Sequence, residues 1–452
     1  MQYSVFYLTL QKFSNPKQIR MIKFIDLFAG MGGIRKGFEQ ACAERGIETQ
    51  CVLTSEIKPA AINILMQNHP EDKQWGDITR INANVIPNFD VLLAGFPCQA
   101  FSSAGKRQGF LDTRGTMFFE VERILKEKKP KAFLLENVEG LINHDKEDAK
   151  DAIGRTLSTI LSHLTALGYK VEWRLLNSKY FGLAQERKRV YITGTFTEFV
   201  NLNDFKESTV VLSDILEQGK AISNTQFVKL LLSHYKVEEL FGKSLKDKRG
   251  GDSNIHSWDI ELKGKVSDQQ KQLLNDLFKQ RRKKQWAEEM GIDWMDGMSL
   301  SLEQIRTFSD LPDLEYQLND LVNKGYLKRE HPKRIVKEQL LDGTFKTYRM
   351  QDESLPLGYN IVAGKLSFEV SKILDPNSIA PTLVAMDMQK LYVPDGNGIR
   401  KLTLREGLRL FGYPEDFKFN ISEAEGYDLL GNTVAVPVIK AVSSRILDVL
   451  TN

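Results

Sequence analysis

The chain has 452 residues, of which 42% are hydrophobic and 27% charged, with a net charge of +3. That composition is of an ordinary globular protein with enough apolar material for a core in two domains, and so small a net charge says nothing by itself about a polyanionic partner. Three cysteines, Cys42, Cys51 and Cys98, exclude a disulfide framework and point to a reducing compartment, the cytoplasm.

At the start, Tyr3–Leu10 is apolar but lacks a basic flank and a cleavage site and is too short for a membrane span. No export signal or membrane contact is expected, and residues 1–20 read as an extension ahead of the first strong strand. From there apolar runs alternate with helix-period stretches. Met21–Leu27, Cys51–Thr54, Phe89–Ala94, Lys131–Leu135, Val171–Leu175 and Arg189–Thr193 read as strands. Ile34–Glu44, Pro59–Asn68, Thr116–Lys128 and Asp151–Leu167 read as helices. The alternation predicts a doubly wound, largely parallel α/β sheet.

Open α/β sheets bind ligands outside the carboxyl ends of their strands, so the residues after each strand carry the information. Phe28-Ala29-Gly30-Met31-Gly32-Gly33 follows the first strand, Glu56 the second, and Asp77 a short Gln74–Gly76 piece. Gly95-Phe96-Pro97-Cys98-Gln99 and Glu136-Asn137 follow the next two. The glycine turn lets a ligand approach the backbone, and Glu56 is placed for ribose hydroxyls. An adenosine-containing cofactor is expected, and with no Walker lysine no phosphate is required. By position alone Cys98 is either a strand-end nucleophile or a buried inert thiol. Arg187 and Arg189 alternate on a strand with Lys188 pointing away, so their guanidinium groups share a face.

The middle of the chain says less. Five of the six residues Lys279-Gln280-Arg281-Arg282-Lys283-Lys284, on a helix expected over Ser267–Met290, are basic. They read equally as a phosphate contact or as a solvated face balanced by Glu288 and Glu289. Leu314–Arg329 is an apolar-periodic helix, a Gly stop and a basic extended segment. With Leu302–Phe308 it resembles part of a winged helix-turn-helix, either reading bases or packing. Val434–Leu450 reads as a closing helix. Six histidines without metal-ligand spacing leave no metal site expected.

Taken in order, Phe24–Gly33, Gly95–Ser102, Glu136-Asn137-Val138, Gln185–Tyr191 and Gly431–Val434 resemble the motifs of bacterial cytosine-5 DNA methyltransferases of type II restriction-modification systems. The match covers about 21–200 and 400–452, and between them only Thr382-Leu383. The resemblance implies a Rossmann-like, S-adenosylmethionine-dependent catalytic domain at 1–203 and 431–452, a smaller target-recognition domain at 204–400 and a hinge at 401–430. Carbon 5 of cytosine is a poor nucleophile, so in this family a thiolate, here Cys98, first adds at carbon 6; the resulting enamine attacks the methyl group of S-adenosylmethionine. Glu136 would share a proton with ring N3. Arg189 would hold the base, with Arg187 in support, and a nearby cation would favour the thiolate.

For the cofactor the resemblance implies Phe28 against the adenine beside the turn at Gly30 and Gly32, and Glu56 on the ribose with Ile57 packing nearby. Asp77 and Ile78 would take the adenine amino group and ring, and Asn432 and Thr433 the methionine part. A target cytosine must be flipped out of a duplex. Gln99–Thr113, too polar to pack permanently, is expected to close over it as a lid, with Ser102, Lys106, Arg107 and Thr382 on the DNA. The partner implied is double-stranded DNA at a short site, which a cognate restriction endonuclease would share without needing to bind, and a monomer is expected. An RNA cytosine methyltransferase is disfavoured by the long insert. A non-catalytic DNA-binding regulator is disfavoured by the presence of Cys98, Glu136 and both arginines.

Overall fold

A computed structural model describes residues 21–97, 117–148, 150–247, 253–339, 345–362 and 368–451. The alternation of the first half folds as strands β1 (Met21–Leu27), β2 (Glu48–Ser55), β3 (Val91–Ala94), β4 (Ala132–Val138), β5 (Lys170–Asn177) and β6 (Lys188–Thr195), with helices α1 (Gly33–Ala43), α2 (Pro59–Asn68), α3 (Met117–Lys128) and α4 (Arg155–Ala166) between them. The sheet order is β2-β1-β3-β4-β6-β5. β1 pairs in parallel with β2 and β3, and β3 with β4. β6 runs antiparallel to both β4 and β5, which the sequence pattern did not specify.

Strand side chains alternate between faces, and both faces of this sheet are covered. In β1, Ile22 and Phe24 enter one core with Phe38 of α1, while Ile25 and Leu27 enter the other with Phe118 of α3 and Ile160 of α4. All four residues of β3 are buried, as a strand covered on both sides requires.

The described residues form two compact units. The first takes the chain as far as Leu216, then Asn377–Gln389, then the chain from Thr403; the second comprises Glu217–Pro376 and Lys390–Leu402. These junctions differ from the boundaries expected at 203/204, 400/401 and 430/431. Most of the segment expected to be a hinge is packed in the first unit because its apolar residues are buried there: Leu408, Leu410 and Phe411. Gln185 Nε2 donates to the Leu410 carbonyl (3.0 Å) and the Val436 amide to that of Phe411 (2.9 Å).

The second unit holds α5 (Gln226–His234), α6 (Asp268–Gln280), α7 (Lys284–Met290), α8 (Leu302–Arg306) and α9 (Leu314–Asn323). Its strands are β7 (Ser244–Leu245), β8 (Asn254–Ile255), β9 (Leu327–Glu330), β10 (Lys333–Gln339), β11 (Phe345–Gln351), β12 (Gly358–Ile361), β13 (Lys372–Ile373), β14 (Leu391–Asp395) and β15 (Gly398–Lys401). A five-stranded sheet, β15-β14-β13-β7-β8, packs with α5 around one core. A second core is built by α6 to α9, β9 and β12. The helix expected over Ser267–Met290 is broken between α6 and α7. At the break Arg281 turns inward, its Nη1 donating to Asn360 Oδ1 (2.7 Å), and Arg282 pairs with Asp296 (3.0 Å), so these two of the five cations are engaged within the unit.

The chain closes with α10 (Ala385–Met388), α11 (Leu404–Leu410), α12 (Glu423–Asn432) and α13 (Val436–Thr451), the last lying along α1 in the first unit. Contact there is close enough that a Cβ on Gly37 would stand 2.7 Å from Ile439 and 2.8 Å from the Val436 carbonyl. Among the described residues no helix is long and apolar enough to cross a membrane.

Candidate active site

The carboxyl ends of β1, β2 and β3 open onto a cleft of about 370 Å³ in the first unit. Phe28, Gly30, Glu56, Ile57, Asp77, Ile78, Asn432 and Thr433 all line it. Gly32 stands off that wall: it caps α1 in the left-handed region (φ +82°), and a Cβ there would meet Leu65 at 3.1 Å. Phe28 is the unusual residue of the turn. Its φ of +55° is one that non-glycine residues seldom adopt, and such strain gathers at ligand sites.

Glu56 fixes the turn opposite. One carboxylate oxygen accepts from the Gly30 amide (2.7 Å) and the other from the amides of Ile57 (2.8 Å) and Lys58 (2.9 Å), so its position is set before any ligand arrives. Asp77 caps a short turn, accepting from the Thr79 amide (3.0 Å) and hydroxyl (2.8 Å). The hydroxyl bond leads in holding its carboxyl below the usual range, so it lines the cleft as an anion. Ile57 is 70% exposed, a large apolar side chain standing bare at the cleft. From the far wall, Thr433 bonds Tyr413 Oη (2.6 Å), and Lys58 pairs with Asp428 of α12. Ser55, Lys58 and Leu429 also line the cleft and were missed in the sequence, since no motif marks them.

One strand further along the edge, β4 ends in Glu136 and Asn137. The Asn137 amide donates to the Phe96 carbonyl (3.2 Å), pinning the Gly95-Phe96-Pro97 turn against β4. A Cβ on Gly95 would lie 3.7 Å from Glu136 Oε2, so the carboxyl faces the strand end from which the chain runs into residue 98. The sequence marks Asn137 only by its place beside Glu136, and assigns it no role of its own.

Because β6 is antiparallel, its first residues lie beside the last residues of β4, Arg189 opposite Val138. Arg189 Nε is 3.2 Å from Glu136 Oε1. Glu136 is 8% exposed, and burial raises its carboxyl above the ordinary range, with Arg189 and then Arg187 opposing that rise. Arg187 has other partners. Its guanidinium donates to the carbonyls of Leu383 (3.0 Å) and Thr433 (2.7 Å) and lies over the Phe411 ring. The two arginines were expected on one face; both act on Glu136, but Arg187 is spent on backbone carbonyls. Thr382 is exposed and lines a second hollow with Arg189, its hydroxyl donating to the Glu186 carbonyl (2.6 Å). Cys98, Ser102, Lys106 and Arg107 lie outside the described residues.

The family model described as C-5 cytosine-specific DNA methylase matches residues 22–448. The chain belongs to this family. The methylase is 59% identical over 432 residues to the type II methyltransferase M.NlaIV of Neisseria lactamica, covering 96% of this chain and all of the relative. It is 44% identical over 445 residues to M.BanI of Aneurinibacillus aneurinilyticus, covering 93% and 94%. The likeness therefore runs through the middle of the chain, where sequence motifs alone had offered only Thr382-Leu383. Among solved structures, the Entamoeba histolytica methyltransferase EhMeth shares the fold, with a TM-score of 0.51 at 17% identity over 95% of this chain and 99% of that one. The protein is a DNA (cytosine-5-)-methyltransferase of the restriction-modification type, and the family implies S-adenosylmethionine as its methyl donor.

Proposed function

We propose that Cys98 is the nucleophile of this methylase, and that Glu136 and Arg189 activate the cytosine it attacks. The thiolate adds to carbon 6 of a cytosine flipped from the duplex, and the electrons displaced toward the ring are accommodated by a proton that Glu136 shares with N3. The observation that carries this reading is the arrangement at the end of β4. A buried carboxyl, raised by burial, faces the Gly95–Pro97 turn and has a guanidinium at 3.2 Å. Arg189 orients that carboxyl and reaches toward the base; Arg187, held by Leu383 and Thr433, is a positioning residue.

The cleft fits the methyl donor in its donor set and shape. Glu56 would meet the ribose hydroxyls at the one lone-pair site on Oε2 that its three amide bonds leave open, and Asp77 the adenine amino group. Phe28, Ile57 and Ile78 would hold the adenine ring between apolar surfaces, with Asn432 and Thr433 toward the methionine part. Bound there, S-adenosylmethionine supplies an electrophilic methyl group, and the residues of the chain do the rest. Ser102, Lys106 and Arg107, with Thr382, would contact the DNA around the flipped base. Much of 204–400 selects the site, a cognate endonuclease shares it, and the enzyme works as a cytoplasmic monomer.

The test is covalent trapping on duplex DNA carrying 5-fluorocytosine, where the blocked final proton loss leaves the enzyme attached. The expected result is an adduct that requires S-adenosylmethionine and vanishes in Cys98→Ser. An adduct surviving that substitution, or none forming on a library of duplexes that the enzyme methylates when unfluorinated, would overturn the assignment.

A further inference from the structure

Within the second unit, α6, α7, a strand residue at Leu300, α8, α9, β9, a long hairpin and β12 follow one another, the order of a winged helix-turn-helix with one extra helix after its first. Leu300 and Tyr359 exchange both backbone hydrogen bonds (3.0 and 2.7 Å), and β12 pairs antiparallel with β9, which makes the small sheet from which the wing springs. The wing is β10 and β11, seven residues each, paired antiparallel from Lys333↔Gln351 to Gln339↔Phe345.

Among the described residues this ribbon packs on nothing that would explain it. Every residue of β11 is exposed, and none of β10 is buried. A two-stranded ribbon bare on both faces is marginally stable by itself and adds nothing to the core. Its root is nonetheless fixed. Buried Glu330 accepts from Asn360 (2.7 Å), which in turn accepts from Arg281 (2.7 Å), and Lys328 and Lys333 pair with the same carboxylate.

The ribbon carries Lys333, Arg334, Lys337, Lys346 and Arg349 against one acid, Glu338. Residues opposite one another in the ladder share a face. One face therefore holds the cations Lys333, Lys337 and Arg349 among polar Gln339, Thr347 and Gln351 and the exposed apolar Ile335 and Phe345, and no acid. The helix that would enter a groove in the usual arrangement is α9, and it offers the wrong charge, with Asp313 at its cap and Glu315 in its first turn. Seven residues per strand span about 20 Å, and a two-stranded ribbon fits the major groove of B-DNA.

We propose that the β10–β11 ribbon, rather than α9, is the element of the second unit that lies against duplex DNA, with Lys337 and Arg349 as its principal cations. The proposal rests on the reading of the chain as a methylase of duplex DNA, and deepens it. Each cation on a phosphate releases a counterion, so removing two should weaken DNA engagement and flatten its salt dependence without touching the chemistry.

The experiment compares wild type with Lys337→Ala/Arg349→Ala on plasmid DNA from an unmodified host, varying salt. The expected result is a KM for DNA raised roughly tenfold, a salt slope smaller by about two, and an unchanged kcat and cofactor KM. Equal melting curves establish that the exposed substitutions leave the fold intact. Wild-type KM and slope in the double variant overturn the ribbon's role, as does a shift of both by Tyr316→Ala/Asn319→Ala on α9 instead. A ribbon variant that changes only the oligomeric state in light scattering also overturns it, since the face would then be a contact between copies. If the wild type methylates no duplex, it is the underlying reading that falls.

Discussion

Arg187→Lys separates what this side chain does by charge from what it does by shape. The side chain is 4% exposed and spans three separated parts of the chain, its guanidinium donating from just ahead of β6 to Leu383 (3.0 Å) and Thr433 (2.7 Å), with a longer reach to Gly431 (3.5 Å). It also lies 5.3 Å from the centre of the Phe411 ring. Lysine keeps the positive charge near Glu136, but its compact ammonium on a flexible stem lacks the planar fork that serves two segments at once. At least one carbonyl is left in a dry interior. Losing a bond to a charged donor costs about 1.5–3 kcal/mol, and losing the stacking adds up to about 1 kcal/mol, so the total is about 3 kcal/mol. In a unit of this size that lowers Tm by roughly 5–10 °C. The end of α12 at Asn432 and Thr433 loosens with it, so if these residues hold the cofactor as proposed, its affinity measured by isothermal titration falls as well. Calorimetry decides the point: an Arg187→Lys variant whose thermogram superimposes on that of the wild type would refute the bracing argument.

Two further outcomes follow from the cleft and the core behind it. Ile57→Ala removes an apolar side chain that is 70% exposed, so stability should hold while the Kd for S-adenosylmethionine rises roughly tenfold, from loss of the burial the adenine would complete. An unchanged titration curve would remove Ile57 from the site. Asp26 is fully buried, neither carboxyl oxygen has a hydrogen-bond partner among the described residues, and burial pushes its carboxyl from 3.8 to about 8. In the native state it therefore keeps a proton that the unfolded chain sheds above about pH 4, so the stability this one group contributes is full below that and is lost as pH rises to about 8. Asp26→Asn has no proton to lose. Its advantage in urea unfolding should be small at pH 4 and grow by up to about 1.4 kcal/mol per pH unit across that window; a flat difference from pH 5 to 8 contradicts the reasoning.

Much of the cleft was legible because the rule of strand ends turns sequence into place. Phe28, Gly30, Glu56, Asp77 and Ile78 follow predicted strands and all line the cleft. Asn432 and Thr433 come from a part of the chain that no local pattern connects to it, and only the motif flagged them. Strand direction was not legible. Val190, Tyr191 and Ile192 read as a buried strand whichever way they run, and only pairing with β4 settles that β6 is antiparallel. Alternation likewise assigned Arg187 and Arg189 to one side of the sheet, while long side chains let them find different partners. In the second unit, the basic run Lys279–Lys284 looked uniform, yet the break between α6 and α7 sends Arg281 to Asn360 and leaves Lys279, Lys283 and Lys284 exposed.

The reversed direction of β6 bears on the chemistry itself. In a wholly parallel sheet every strand would begin at the edge away from the cleft, and a cation beside Glu136 would have to come from a loop. Antiparallel pairing brings the start of β6 to the end of β4, so Arg189 reaches the carboxyl from a rigid element, opposite Val138. That carboxyl then sits between opposing influences, burial favouring its neutral form and two guanidinium groups its charged form, with burial prevailing. The role we propose for Glu136, sharing a proton with a ring nitrogen while a thiolate adds nearby, calls for both influences at once, and pairing β6 antiparallel to β4 lets the backbone supply them together.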